Sequence, residues 1–212
     1  MRKQALFLAL LVALAVFQES TSAPAHMMPM FGDQAKRTSS NDEKSLVASY
    51  EKRGLTRQEG ARELVIMAWN ALEKKDYTNA ISQLNQAWLL DPANADTYHG
   101  FALVMERRDK DMKSAEALYR QALSKEDVAP ETYVDYGRFL LFQGRADESL
   151  EFLYMALDRS PKARDARAYI SQAHSRQGNF VKACRWARSA QQNGDSLPKG
   201  FQDQVCTRAD IG

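Results

Sequence analysis

From residue 61 onward, apolar side chains recur three and four residues apart, the spacing of one face of an α-helix. The helical pattern also repeats itself. Laying Ala61–Pro92 over Pro130–Pro161 brings Tyr77 onto Ala146, Leu84 onto Leu153, Ala87 onto Ala156 and Pro92 onto Pro161. A further window from Arg164 places Gly178, Phe180, Ala183, Ala187 and Ala190 in the same frame. The period of about 34 residues, with two apolar stripes in each, predicts an array of helical hairpins. Small residues at Ala68, Ala80 and Ala87 let two helices approach, and Leu64, Tyr77 and Leu84 fill the space left between them. Pro92 and Pro161 cannot continue a helix and reset the chain for the next hairpin. The expected fold is all-α, an α-solenoid of about four hairpins with a short N-terminal helix and a C-terminal capping helix.

The flanks predict further elements. Ser40-Asn41-Asp42-Glu43 reads as a capping box opening a helix to about Arg53, with Leu46, Val47 and Tyr50 on one face and Gly54 ending it. Thr56-Arg57-Gln58-Glu59 is a second capping box, opening a helix through Lys74. After Gly194, the four-residue spacing of Leu197, Phe201 and Val205 predicts a capping helix over Leu197–Cys206. Residues 26–40, rich in Met, Pro, Gly and Ser, read as a flexible linker, and 207–212 as a tail. The solenoid domain thus spans 41–206. Arg2 and Lys3, the apolar run Ala5–Phe17 and Ala23-Pro24-Ala25 have the layout of a signal peptide over 1–25, cut after Ala25. The alternatives are a cut after Ala23 and an uncleaved anchor. Cleavage would place the protein in the periplasm or outside the cell, with no membrane span left in the mature chain.

In the repeats, Leu64, Met67, Ala68, Ala71, Ala80, Leu84, Ala87 and Pro92 resemble the tetratricopeptide (TPR) family. So do Tyr98, Phe101, Ala102, Ala115, Tyr119 and Ala122 in the second repeat, and Tyr133, Tyr136, Gly137, Leu140, Leu153, Ala156 and Pro161 in the third. Ile170, Ser171, His174, Gly178, Ala183, Ala187 and Ala190 continue the resemblance, which covers 61–194. The second repeat departs from the pattern by an extra residue within Arg108–Met112 and by more before Pro130, leaving its register open. Leu84–Pro92 is also similar to exported bacterial TPR proteins of unassigned activity.

The resemblance implies that the first helix of each hairpin lines a concave groove. The implied inward residues are Val65, Trp69, Leu72 and Glu73, then His99, Leu103 and Arg107, then Arg138, Leu141 and Phe142, then Gln172 and Arg176. Trp69, Leu72 and Leu141 could instead be covered by the 42–53 helix or by a neighbouring repeat. An open groove would suit an extended peptide, apolar side chains in pockets and Arg107, Arg138 and Arg176 on carbonyls or carboxylates. Ile66, Gly100, Asp135 and Tyr169 stand where the carboxylate-clamp TPR proteins carry Asn, which argues against that subtype. By analogy with the family, the expected role is a scaffold for a protein or peptide, in assembly of an envelope machine such as a pilus or secretion system.

Composition changes this picture little. The chain is 44% hydrophobic and 26% charged with a formal net charge of +2, which gives no basis for a nucleic-acid partner. Two cysteines, Cys184 and Cys206, read as a disulfide between the last repeat and its cap, or as two separate thiols. The segment His26, Met27, Met28 and Met30 has the donors of a soft copper site, or is merely a Met-rich linker. A soft-metal or small-molecule carrier is therefore the alternative function. His174 falls at a core position and reads as a satisfied core histidine. No phosphate loop, GxSxG or HExxH motif occurs, so a binding module without a cofactor is expected rather than an enzyme.

Overall fold

A computed structural model describes residues 25–34 and 40–211; of the signal peptide expected over 1–25, residues 1–24 lie outside them. Among the described residues ten α-helices follow one another: α1 (Ser40–Glu51), α2 (Arg57–Glu73), α3 (Tyr77–Leu90), α4 (Ala95–Val104), α5 (Met112–Leu123), α6 (Pro130–Phe142), α7 (Ala146–Arg159), α8 (Ala166–Arg176), α9 (Phe180–Asn193) and α10 (Phe201–Ile211). The described residues contain no strand, and no helix long and apolar enough to cross a membrane. Helices α2 and α3, α4 and α5, α6 and α7, and α8 and α9 pair as hairpins, and each hairpin touches the next.

Local chemistry starts the helices. Thr56 and Glu59 form the reciprocal capping box that the sequence predicts. Asp76, Asn94, Asp111 and Asn179 cap α3, α4, α5 and α9, each accepting from a backbone amide three residues on. Such caps satisfy amides that the helix itself leaves unpaired.

Close approach sets the spacing of the hairpins. A Cβ on Gly137 of α6 would lie 2.7 Å from Leu153 Cγ of α7, within one hairpin. A Cβ on Gly100 of α4 would lie 2.6 Å from Leu84 Cδ2 of α3, between two hairpins. Around these contacts one core runs from Ala68 and Leu84 through Phe101 and Tyr119 to Tyr136 and Phe139. A second joins α6, α7 and α8 around Leu153 and Ile170.

The extra residue of the second repeat is absorbed at the end of α4. The helix widens into a π turn over Met105–Asp109 and stops at Lys110, which takes a left-handed conformation. One added residue in a helix is accommodated this way without displacing the next hairpin.

Some expectations need correction. Residues 25–34 are not a free linker: they form two short 3₁₀ turns, Ala25–Met27 and Pro29–Gln34, docked on α3. The Asn85 amide donates to the carbonyls of His26 and Met28 at 3.2 and 3.0 Å, and Arg108 to that of Met27 at 2.7 Å. Met27 and Met30 pack against the main core, so these thioethers of the suggested copper set of His26, Met27, Met28 and Met30 serve as apolar contacts. Leu197 precedes the last helix, since Pro198 and Gly200 (φ +74°) hold the chain in a turn and α10 begins at Phe201. The tail is helical to Ile211. Met67, one of the residues that carry the family resemblance, is 47% exposed, whereas Leu64 and Val65 are covered by α1.

Cys184 of α9 and Cys206 of α10 are disulfide-bonded across 22 residues, beside Leu197, Phe201 and Val205. Closing a loop of that length contributes about 3 kcal/mol by restricting the unfolded chain. The Cys184→Ala, Cys206→Ala double variant is expected to lose about that much in urea denaturation. Gly137→Leu should cost more than 1 kcal/mol, from the clash with Leu153. Asn85→Ala should leave global stability nearly unchanged yet raise amide exchange across 26–31 about tenfold, as measured by mass spectrometry.

Candidate functional site

The first helices of the second and third hairpins, α4 and α6, are joined by a polar chain beneath a cleft. His99 of α4 is 1% exposed. Its ring meets Trp69 of α2 edge-on, with centroids 4.8 Å apart, and Tyr119 of α5 at 5.9 Å. Its two ring nitrogens pair with Thr132 Oγ1 at 3.1 Å and with Asp135 Oδ2 at 2.9 Å, both on α6. The other Asp135 oxygen accepts from Arg138 Nε at 3.2 Å. Arg138 in turn grips Glu106 of the π turn through two bonds of 2.7 and 2.8 Å, and Tyr119 donates to Glu106 at 2.9 Å.

Asp135, Arg138 and Tyr119 keep the charge states their bonds require. Burial raises the Asp135 carboxyl, but the His99 hydrogen bond and the charges of His99, Arg138 and Arg107 outweigh it and hold it at about 2. Burial alone would lower Arg138, yet its Glu106 bonds and the neighbouring acidic groups hold it charged. Burial pushes the Tyr119 phenol well up, so it remains a donor. A satisfied network of this kind fixes helix positions, because breaking any one link strands a desolvated partner.

Above it opens a cleft of about 560 Å³. Helix α2 contributes Trp69, Leu72 and Glu73 to its wall, and α4 contributes Asp96, His99 and Leu103. Arg107 comes from the π turn, Glu131 and Asp135 from α6, and Arg164 and Asp165 from the approach to α8. A smaller depression of about 170 Å³ extends it past Val134 to Tyr169.

Of the residues singled out from sequence, Trp69, Leu72, His99, Leu103 and Arg107 share this cleft. Glu73, also implied to point inward, lines it too, and the others do not. Val65 is sealed against Tyr50 by α1. Leu141 is fully buried in the core of α6, α7 and α8. Arg138 is only 13% exposed and is committed to Glu106 and Asp135. Phe142 is exposed, with the Arg176 guanidinium 5.5 Å from its ring centre, and Arg176 also donates to the Leu141 carbonyl. Gln172 is half-buried and lines neither depression. His174 is a core histidine, paired with Tyr154 at 3.1 Å and Gln177 at 3.0 Å, and burial lowers its pKa.

No protein-family model matches the chain, and no curated protein matches it in sequence. Solved structures do match. The pilF protein of Pseudomonas aeruginosa superposes with a TM-score of 0.66 at 19% identity, over 73% of this chain and 71% of that one. PilW, a type IV pilus biogenesis factor, gives 0.60 at 15% identity, over 80% and 86%. MamA gives 0.54 at 19% identity, over 76% and 92%. The fold is that of TPR helical-repeat proteins.

Glu73 is an inward residue expected from sequence, whereas Asp96 and Glu131 are not. Their one signal is position: Asp96 and Glu131 are each the second residue of a first helix, α4 and α6.

Asp135 binds fewer protons folded than unfolded, so its contribution is present above pH 4 and is lost as pH falls toward 2. Urea denaturation between pH 2 and 6 should show this loss, about 2 kcal/mol. Asp135→Asn should cost about 3 kcal/mol at neutral pH and flatten that part of the profile.

Proposed function

We propose that this protein is an envelope adaptor that holds a protein or peptide partner in its concave cleft. The observation that carries this reading is the cleft itself. Trp69, Leu72 and Leu103 meet there on the first helices of successive hairpins, over a floor locked by buried hydrogen bonds. A rigid concave wall with an aromatic anchor is the form in which a binding surface loses least entropy on complex formation. The cleft continues toward Tyr169, a length that suits an extended segment.

An oxidising, envelope location is supported by the Cys184–Cys206 bond and by the leader-like run before residue 25. Assembly of a pilus or secretion machine is supported by likeness in fold to pilF and PilW. A binding role rather than catalysis is supported by the use of the cleft's His99 and Asp135 in holding helices together.

The test is capture of partners from an envelope extract by the immobilised protein and by two variants. Val181→Ala alters an exposed apolar residue on α9, away from the cleft. Partners should be retained by this control and weakened about 30-fold by Trp69→Ala, the loss typical of an aromatic anchor. Equal recovery by all three proteins would count against the cleft.

A further inference from the structure

The charge of the cleft does not match the arginine-lined groove that its repeat family implies. Five carboxylates line it, those of Glu73, Asp96, Glu131, Asp135 and Asp165, against the guanidinium groups of Arg107 and Arg164. Arg164 is a rim residue, with a side chain 83% exposed. Of the other arginines expected to grip an anionic ligand, Arg138 is tied down below the floor and Arg176 lies over Phe142. The charge of Asp135 is taken up by its bonds to His99 and Arg138, and Asp165 accepts from the Ser196 amide at 2.7 Å. Among the described residues, no hydrogen bond or ion pair reaches Glu73, Asp96 or Glu131.

These three carboxylates stand on three different helices, α2, α4 and α6, around one space. Trp69 and Leu72 border the same space and offer an aromatic ring and a methyl-bearing wall. That combination fits the two halves of a long basic side chain: apolar methylenes, then a cation that donates to the carboxylates and lies against a ring face. Burial, with a smaller effect from the nearby Glu131, raises the Asp96 pKa although His99 opposes them.

We propose that the cleft receives a lysine or arginine side chain from an extended segment of a protein partner, with its methylenes on Trp69 and Leu72 and its charge among Glu73, Asp96 and Glu131. This rests on the cleft being the partner site. A peptide segment is favoured over a free amine because the trench runs on past Val134 to Tyr169, further than one side chain reaches. The same excess of carboxylates repels a C-terminal carboxylate or an acidic peptide.

The test uses the full chain, labelled for NMR at the tryptophan indoles, and three probes. These are a capped octapeptide containing arginine and leucine, its counterpart with glutamate in place of arginine, and free arginine. The arginine peptide should shift the Trp69 indole signal, and its affinity should fall about tenfold in Asp96→Asn, Glu131→Gln and at high salt. The glutamate peptide should leave Trp69 unmoved. Neither substituted residue belongs to the buried network, so the variant should keep its wild-type unfolding midpoint. Equal or tighter binding of the glutamate peptide at Trp69 would overturn the cationic assignment and leave the cleft as the partner site. So would arginine-peptide binding that Trp69→Ala abolishes but Asp96→Asn, Glu131→Gln does not change. Free arginine binding as tightly as the peptide would overturn the protein source of the cation. Failure of every probe to move Trp69 would sink both the cationic assignment and the cleft.

Discussion

The distance at which neighbouring helices meet governs the rest of this molecule. Leu153 sits against Gly137 within one hairpin, and Leu84 against Gly100 between two. In both places the leucine occupies the space a Cβ would need. Shortened contacts of this kind let a single layer of aromatic and aliphatic side chains fill the interior from α2 to α6. They also fix how far apart the first helices stand on the open side, and so the width of the cleft.

That open side is held by polar rather than apolar contacts. Its floor links Thr132, His99, Asp135, Arg138, Glu106 and Tyr119 by hydrogen bonds. Leucines there would close the trough, because apolar side chains gain by collapsing onto one another. Hydrogen-bonded groups of defined length hold a gap instead. The π turn belongs to this arrangement, since it carries the Glu106 carboxylate that Arg138 grips. An insertion that blurs the repeat in sequence thus supplies one of the ties between repeats two and three.

A repeat array has two open flanks, and each is covered differently. At the start, α1 lays Leu46, Val47 and Tyr50 over Leu64 and Val65. At the end, α10 lays Phe201 and Val205 over α9 and is stapled there by the disulfide. The 25–34 segment adds a third cover along α3, gripped by the side chains of Asn85 and Arg108 through its carbonyls. Binding through main-chain carbonyls leaves little trace in residue types, and a segment rich in Met and Pro therefore reads as a linker.

The helices, their pairing and most of their ends follow from sequence alone, because they depend on local periodicity, capping residues and small positions such as Ala68, Ala80 and Gly137. The position of Trp69, Leu72, His99, Leu103 and Arg107 around one space was also legible, since the repeat carries each to the same face. Tertiary structure alone decided which inward residues stay open. Val65, Arg138 and Leu141 sit at inward positions yet are covered, because their exposure depends on α1, Glu106 and α8, none of which the local pattern specifies. It also decided the sign of the cleft. Glu73, Asp96 and Glu131 lie far apart along the chain, and electrostatic potential depends on distance through space, which only the folded hairpins set.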